Sequence, residues 1–268
     1  PSPTPPPFRS FAPAAALGET HPAPPLDVSD IRRLLAGVKP APQFQAEFFG
    51  RDGLLVAIIG CTGVSSRPRL AKTLAIALGV SPKSGSITRC FERCQRLGLV
   101  AVHKAGDAPF SLVSLTSRGR QAFRQIFGYD AVQSEADLLL ASHPGSITHA
   151  VYCAWAREFA EVAGYTVTIP GKQPAPGPAP DLIFLHGEEV LGVEVERALA
   201  GEDSQKWQAI ARARDVIAVV APDHETAERI AVYLSRSGVE RYLISDFSYL
   251  VSAQPRTPVE FWRVRVPD

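Results

Sequence analysis

Three carboxylates, Asp181, Glu194 and Glu196, fall on one short segment whose pattern brings them together. The stretch Pro180-Asp-Leu-Ile-Phe-Leu-His-Gly-Glu-Glu-Val-Leu-Gly-Val-Glu-Val-Glu196 reads as two alternating strands around a tight turn at Gly187-Glu188. If His186 faces Glu189, then Leu185 faces Val190 and Asp181 faces Glu194. Opposed residues hold their β-carbons about 4.5–5.5 Å apart on one face. Glu196, two residues on, points to that face as well. Leu182, Phe184, Leu191, Val193 and Val195 take the other face and predict a buried side. Opposed like charges destabilise a hairpin, so a cation or substrate is expected to offset them. Oxygen ligands at this spacing suit Mg²⁺ or Mn²⁺. The competing reading is a solvated face of an amphipathic hairpin.

Around this hairpin the pattern predicts helix Thr148–Ala163, strand Tyr165–Ile169, strand Asp181–Leu185, strand Val190–Glu196, helix Ser204–Arg214, strand Val216–Val220 and helix His224–Ser235. The Pro-rich run Gly171–Pro180 reads as a loop between strands. Upstream, a helix near Leu54–Ile59 precedes Arg69–Leu78, a turn at Gly79-Val-Ser-Pro82, and a helix Lys83–Leu97 stopped by Gly98. Ile87, Phe91, Cys94 and Leu97 recur at helical spacing and predict its buried face. Leu99–His103 and Phe110–Leu115 form a hairpin turning at Gly106-Asp107, and Thr116-Ser-Arg-Gly-Arg120 opens another helix.

Charge divides the chain. The net +1 over 268 residues hides eleven Lys/Arg against Glu92 and Asp107 between Ser65 and Arg124, a local +9 that leaves −8 elsewhere. A basic block beside an acidic one predicts a polyanion-binding module joined to something else. Hydrophobic content of 46% and charged content of 21% suit a globular protein able to bury two modest cores. The apolar run Leu54–Ile59 is too short to span a bilayer, and no charged-then-apolar leader opens the chain. Cys61, Cys90, Cys94 and Cys153 have no CxxC spacing and read as buried reduced thiols, which points to the cytoplasm. His143, His149 and His224 show no partners at metal-ligand spacing, and Trp155 and Trp207 read as core anchors.

Residues 1–26, dominated by Pro and Ala, predict a disordered tail, with Asp27-Val-Ser-Asp30 capping a helix Ile31–Val38. Residues 27–129 and 130–268 are then the two expected domains. Ser66-Arg-Pro-Arg-Leu-Ala71-Lys72-Thr73 lacks both glycines of a phosphate-binding Walker loop, so that reading is rejected.

The progression LxxxLGVS…RLGLV…VSLTSRGR from Leu74 to Arg120 resembles a winged helix-turn-helix. The resemblance implies a second helix in the DNA major groove, presenting Lys83, Ser86, Thr88, Arg89, Arg93 and Arg96, with Lys104 on the hairpin adding to the basic set. The later order α-β-β-β-α-β, with Pro180-Asp181 on one strand and glutamate on the next, resembles the PD-(D/E)XK nuclease superfamily. A basic winged helix followed by such a domain, with the progression Asp181, Val193–Glu196 and Lys206, is similar to the replication-relaxation family of mobile-element proteins. The fold expected is therefore two-domain, α+β with α/β character: a winged helix-turn-helix plus a restriction-endonuclease-like domain.

This resemblance implies a metal-dependent DNA endonuclease. Asp181 and Glu194 would bind Mg²⁺ or Mn²⁺, with the Val195 carbonyl as a third ligand and Glu158, or else Glu161, completing the shell. The chain departs from the pattern where Glu196 takes the position of the usual lysine, and Lys206, on the next helix, would supply that charge instead. The rival expectation is a replication or transcription regulator whose nuclease-like domain is a scaffold. Its partners would be DNA and, through the C-terminal domain, a second copy or another protein, with no membrane.

Overall fold

The computed structural model describes residues 50–106, 110–143, 145–170, 178–197 and 204–266. The expected tail 1–26, the helix Ile31–Val38 and Lys172 lie outside the described residues. The first elements are α1 (Gly50–Thr62), α2 (Arg67–Leu78), α3 (Gly85–Arg96), the hairpin strands β1 (Val100–Lys104) and β2 (Ser111–Leu115), and α4 (Ser117–Phe127). Local chemistry sets their ends. Ser66, Ser84 and Thr116 each accept a backbone N–H at a helix start, and Gly79 closes α2 at φ 66°. Helix α3 buries Ile87, Phe91 and Cys94, as its spacing predicts, together with Cys90, against Leu55, Ile58, Leu74 and Phe123, while Leu97, expected in the same stripe, caps the helix and is only partly buried. Ser65 accepts from the Val113 N–H at 2.8 Å, so the α1–α2 turn joins the edge of the hairpin.

The second part carries α5 (Glu135–Ser142), α6 (Ile147–Val162), β3 (Thr166–Thr168), β4 (Leu182–His186), β5 (Glu189–Val195), α7 (Ser204–Ala213), β6 (Ile217–Ala221), α8 (His224–Arg236), β7 (Tyr242–Asp246), α9 (Phe247–Ala253), α10 (Pro258–Phe261) and β8 (Val264–Val266). Strands β3 to β8 form one mixed sheet in sequence order. Pairs β3–β4, β4–β5 and β7–β8 are antiparallel, and β5–β6 and β6–β7 are parallel. The central strand Ile217-Ala-Val-Val-Ala221 is buried throughout, as a strand covered on both faces must be. One face packs on α6 and α9 through Ala154, Phe184, Val195 and Phe247. The other packs on α7 and α8 through Trp207, Ile210, Ile230 and Leu234.

Helix α5 and the elements after α8 go beyond the predicted order. Helix α5 is legible in retrospect, since Ser134 and Asp137 form a reciprocal capping box.

The expected cut between residues 129 and 130 crosses a shared core. Ala105, Phe110 and Leu112 of the first part lie in the same hydrophobic cluster as Ala136, Ala154 and Phe184. The Ala136 N–H donates to Ser65 Oγ at 2.9 Å, and Arg69 pairs with Glu161 at 2.8 Å. Burying apolar surface across this boundary couples the two parts energetically. The whole is a mixed α and β protein, and among the described residues no helix is long and apolar enough to cross a membrane.

One glycine fixes how α4 meets the hairpin. A Cβ at Gly119 would lie 2.0 Å from the Leu99 carbonyl oxygen, a backbone atom with little freedom to move. Gly119→Ala is expected to cost about 2–3 kcal/mol by overpacking, read as a lower midpoint in urea. Gly85→Ala, where an added Cβ meets nothing within 4 Å, is the control and should stay within about 0.5 kcal/mol of the parent.

Candidate functional site

The observed register pairs His186 with Glu189, Leu185 with Val190 and Leu182 with Val193, as expected, and ends there, one residue short of Asp181 and Glu194. Gly187 supplies the turn at φ 59°. Leu182, Phe184, Val193 and Val195 are fully buried and Leu191 nearly so, as predicted for the core face. Asp181 sits just before β4. Its N–H donates to the Val193 carbonyl at 3.1 Å, and its Oδ2 accepts the Val195 N–H at 2.8 Å. The Glu196 N–H donates to Val220, so the carboxylates gather where the parallel strands β5 and β6 end. That end of an open sheet is where ligands commonly bind.

The cations that offset these carboxylates come from α7 and the residue just beyond it. Glu194 is buried, and its Oε1 accepts Nη1 of Arg214 at 2.9 Å. Arg214, only 4% exposed, also donates to the Gly192 carbonyl at 3.2 Å and the Pro178 carbonyl at 2.8 Å. Gly192 makes room for it, since a Cβ there would lie 3.1 Å from the guanidinium. Lys206 Nζ lies 3.6 Å from Glu194 Oε2 and is bonded to Glu196 Oε1. Lys206 thus occupies the carboxylate cluster from the neighbouring helix, and Glu196 is ion-paired. Burial would lower the Lys206 pKa, but Glu196 and Glu194 outweigh it and raise it. Burial, followed by Asp181, pushes Glu194 up against the pull of Lys206 and Arg214.

Two histidines alter the expected picture of Asp181. His149 Nε2 lies 3.0 Å from Asp181 Oδ2 and His143 Nε2 lies 3.7 Å from Oδ1, with the rings stacked at 4.1 Å. Cys153 Sγ is 3.8 Å from His143 Nε2. Sequence spacing gave these histidines no partner, and the structure corrects that reading. His149 and Cys153 stand one turn apart on α6, a pair whose i, i+4 spacing was legible, whereas His143 reaches them from the α5–α6 turn. Burial would raise the Asp181 pKa, but His149, the Val195 N–H and His143 hold it below its ordinary value. Burial and His149 depress His143.

Glu158 does not join Asp181. Its surroundings are Ser66, Arg69, Glu135 and Glu161, and burial raises its pKa. The alternative, Glu161, is held by Arg69 at 2.8 Å and Arg157 at 2.7 Å. The reason is helical phase: Glu158 is five residues from Cys153, on another side of α6. Trp207 is buried as a core anchor, and Trp155 stacks on Phe247 at 4.4 Å. His224 sits apart, against Arg263 and Glu228.

Helix α3 presents Thr88, Arg89 and Arg96 to solvent, Lys83 is exposed in the turn before it, and Lys104 stands exposed on the hairpin. Ser86 is half-buried and shares a hydrogen bond with Ser84 at 2.9 Å. Arg93 differs from its expected role. Its Nε pairs at 2.8 Å with Asp52, whose side chain is 4% exposed, so Arg93 holds α3 to α1. Between α2, α3 and the hairpin runs an open groove of about 490 Å³, lined by Arg67, Pro82, Thr88, Phe91, Lys104 and Phe110.

Two outcomes follow from this geometry. Arg214→Ala should cost about 3–5 kcal/mol, because it leaves the buried Glu194 with only the longer Lys206 contact. A urea melt checks it, and Arg214→Met combined with Glu194→Leu should recover most of the loss. In chelator-treated protein, Asp181→Asn should be about 1–2 kcal/mol less stable than the parent at pH 7. The repulsion between Asp181 and Glu194 taken alone predicts no such loss. With the folded pKa below the ordinary 3.8, this stability is present above pH 3.8 and is lost as pH falls through the folded value. The gap between the two melts should close in that window.

Comparison with known protein families, with curated proteins and with solved structures returns no match.

Proposed function

We propose that this protein binds DNA through its basic first part and hydrolyses phosphodiester bonds, with Mg²⁺ or Mn²⁺, at the end of its mixed sheet. The observation that carries the reading is Lys206, whose ammonium lies 3.6 Å from Glu194 and against Glu196, beside Asp181. That is the charge a PD-(D/E)XK-like site needs when its usual lysine position holds an acid. Asp181 and Glu194 would hold the metal, which supplies an activated water and stabilises the phosphorane-like transition state. Lys206 would orient that water and offset negative charge. Glu158 is left out of this site, and Arg214 positions Glu194 from behind.

The basic part supports DNA as the partner. Lys83, Thr88, Arg89, Arg96 and Lys104 are exposed around a groove lined by Arg67 and Lys104, in the arrangement of helix and hairpin that resembles a winged helix-turn-helix. Replication or transfer of a mobile element is the setting that the replication-relaxation resemblance suggests.

A second reading is a regulator whose nuclease-like part is a scaffold for a second copy or another protein. Arg214 favours it, because a glutamate already bonded to a buried arginine has given up part of its capacity to bind a metal.

Nicking of supercoiled plasmid with Mn²⁺ separates the two. Asp181→Asn and Lys206→Ala should each abolish nicking, a loss of at least about a hundredfold, while leaving DNA affinity intact. A parent that binds DNA and never nicks leaves the scaffold reading. Replacing Arg89 and Arg96 with Ala should weaken DNA binding and flatten the slope of log K against log salt by about 1.8. Arg93→Ala should instead destabilise the fold through Asp52.

A further inference from the structure

We propose that His143, His149, Cys153 and Asp181 form a zinc site, distinct in chemistry from the oxygen pair Asp181 and Glu194. The four ligand atoms all lie within 4.8 Å of one another. Three of the separations are 3.0, 3.7 and 3.8 Å. A tetrahedral ion with bonds of 2.0–2.3 Å needs ligand edges of about 3.3–3.7 Å. The cluster therefore needs adjustments of a few tenths of an ångström at these three edges to close on an ion.

The surroundings point the same way. Cys153 is fully buried and the His149 Nε2 atom is inaccessible, yet that nitrogen lacks the geometry of a hydrogen bond to the Asp181 oxygen beside it. A buried ring nitrogen that misses its nearest acceptor is an unsatisfied group, and an ion between the two would satisfy both. The ligands are also preorganised. His149 and Cys153 project from consecutive turns of α6, His143 caps α5 with its N–H on the Leu139 carbonyl, and Asp181 is fixed by the Val195 N–H. Two imidazoles, a thiolate and a carboxylate are the donors that select Zn²⁺ over Mg²⁺. Their charge is balanced as well, since a dication with one thiolate and one carboxylate is neutral, which suits a site this deeply set.

Loading the site is a balanced exchange: Zn²⁺ enters, the Cys153 thiol gives up its proton to solvent, and a Zn–S bond forms. Uptake should therefore release one proton and tighten as pH rises. The inference shares Asp181 with the nuclease reading but is tested apart from it, because it is read from the Co²⁺ spectrum, without DNA and without nicking.

The test uses the full chain stripped with a chelator and titrated with Co²⁺ as the spectroscopic probe, then with Zn²⁺. One equivalent of Co²⁺ should give the intense visible bands of a tetrahedral ion and a thiolate-to-cobalt charge-transfer band, both displaced by one equivalent of Zn²⁺ and unmoved by excess Mg²⁺. Cys153→Ser should lose the charge-transfer band, and His149→Gln should weaken Co²⁺ by more than about a hundredfold, since even outer-shell losses cost ten- to a hundredfold. Cys61→Ala, at a thiol near Tyr129 and outside the cluster, should keep the parent spectrum. Circular dichroism of each metal-free variant checks that it folds; if Cys153→Ser does not, His149→Gln and the proton released per zinc still decide. Octahedral Co²⁺ without a thiolate band, or a band that survives in Cys153→Ser, overturns the proposal.

Discussion

Buried negative charge at the end of strands β4 and β5 is the constraint around which the second part is arranged. Asp181 lies just before β4 and Glu194 near the end of β5, and both carboxylates are largely shut off from water. Neither carboxylate can be buried alone without a cost of several kcal/mol. The fold answers differently for each. Glu194 receives two cations from the α7 region, Arg214 from its end and Lys206 from its first turn. Asp181 receives the Val195 N–H and two imidazoles. The opposite directions of their pKa shifts are the outcome of those two environments.

This division gives one small region two kinds of donor set. On the α7 side the groups are oxygen atoms and cations, which suit a hard ion and a phosphate. On the α6 side they are nitrogen and sulfur, which suit a softer ion. Asp181 belongs to both. Its position one residue before β4 lets the carboxylate turn back onto the β5 backbone rather than project straight out of the pleat, and so reach both sets.

The junction of the two parts carries a second set of paired charges, built around the buried Glu135. Glu135, Arg157, Glu161 and Arg69 form a connected group between α2, α5 and α6. Burial pushes Glu135 up, and Arg157 and Arg69 pull it back. Together with Phe110 and Leu112 in the sheet's core, this network ties the basic hairpin to the helix that carries His149 and Cys153.

The sequence by itself determined what depends on neighbours along the chain. Strand alternation and one glycine turn set the register of β4 and β5 and thereby bring Asp181 and Glu194 to the same end of the hairpin. Helical spacing gave Ile87, Phe91 and Cys94 of the buried side of α3, and Thr116 opens the next helix as expected, whereas α3 starts at Gly85 under a Ser84 cap rather than at Lys83. Tertiary structure decided which side chains from distant elements meet. That α7 turns Lys206 and Arg214 toward Glu194 follows from packing Trp207 and Ile210 against β6, and no short-range pattern encodes it. The nuclease resemblance implies Glu158, or else Glu161, at the site, yet the rotation of α6 over the sheet sends Glu158 to Ser66 and brings His149 and Cys153 to Asp181. Arg93 reads as an outward cation by spacing, but Asp52 on α1 claims it. In each case the periodicity of an element fixes which residues share a face, while only the docking of that element fixes what the face touches.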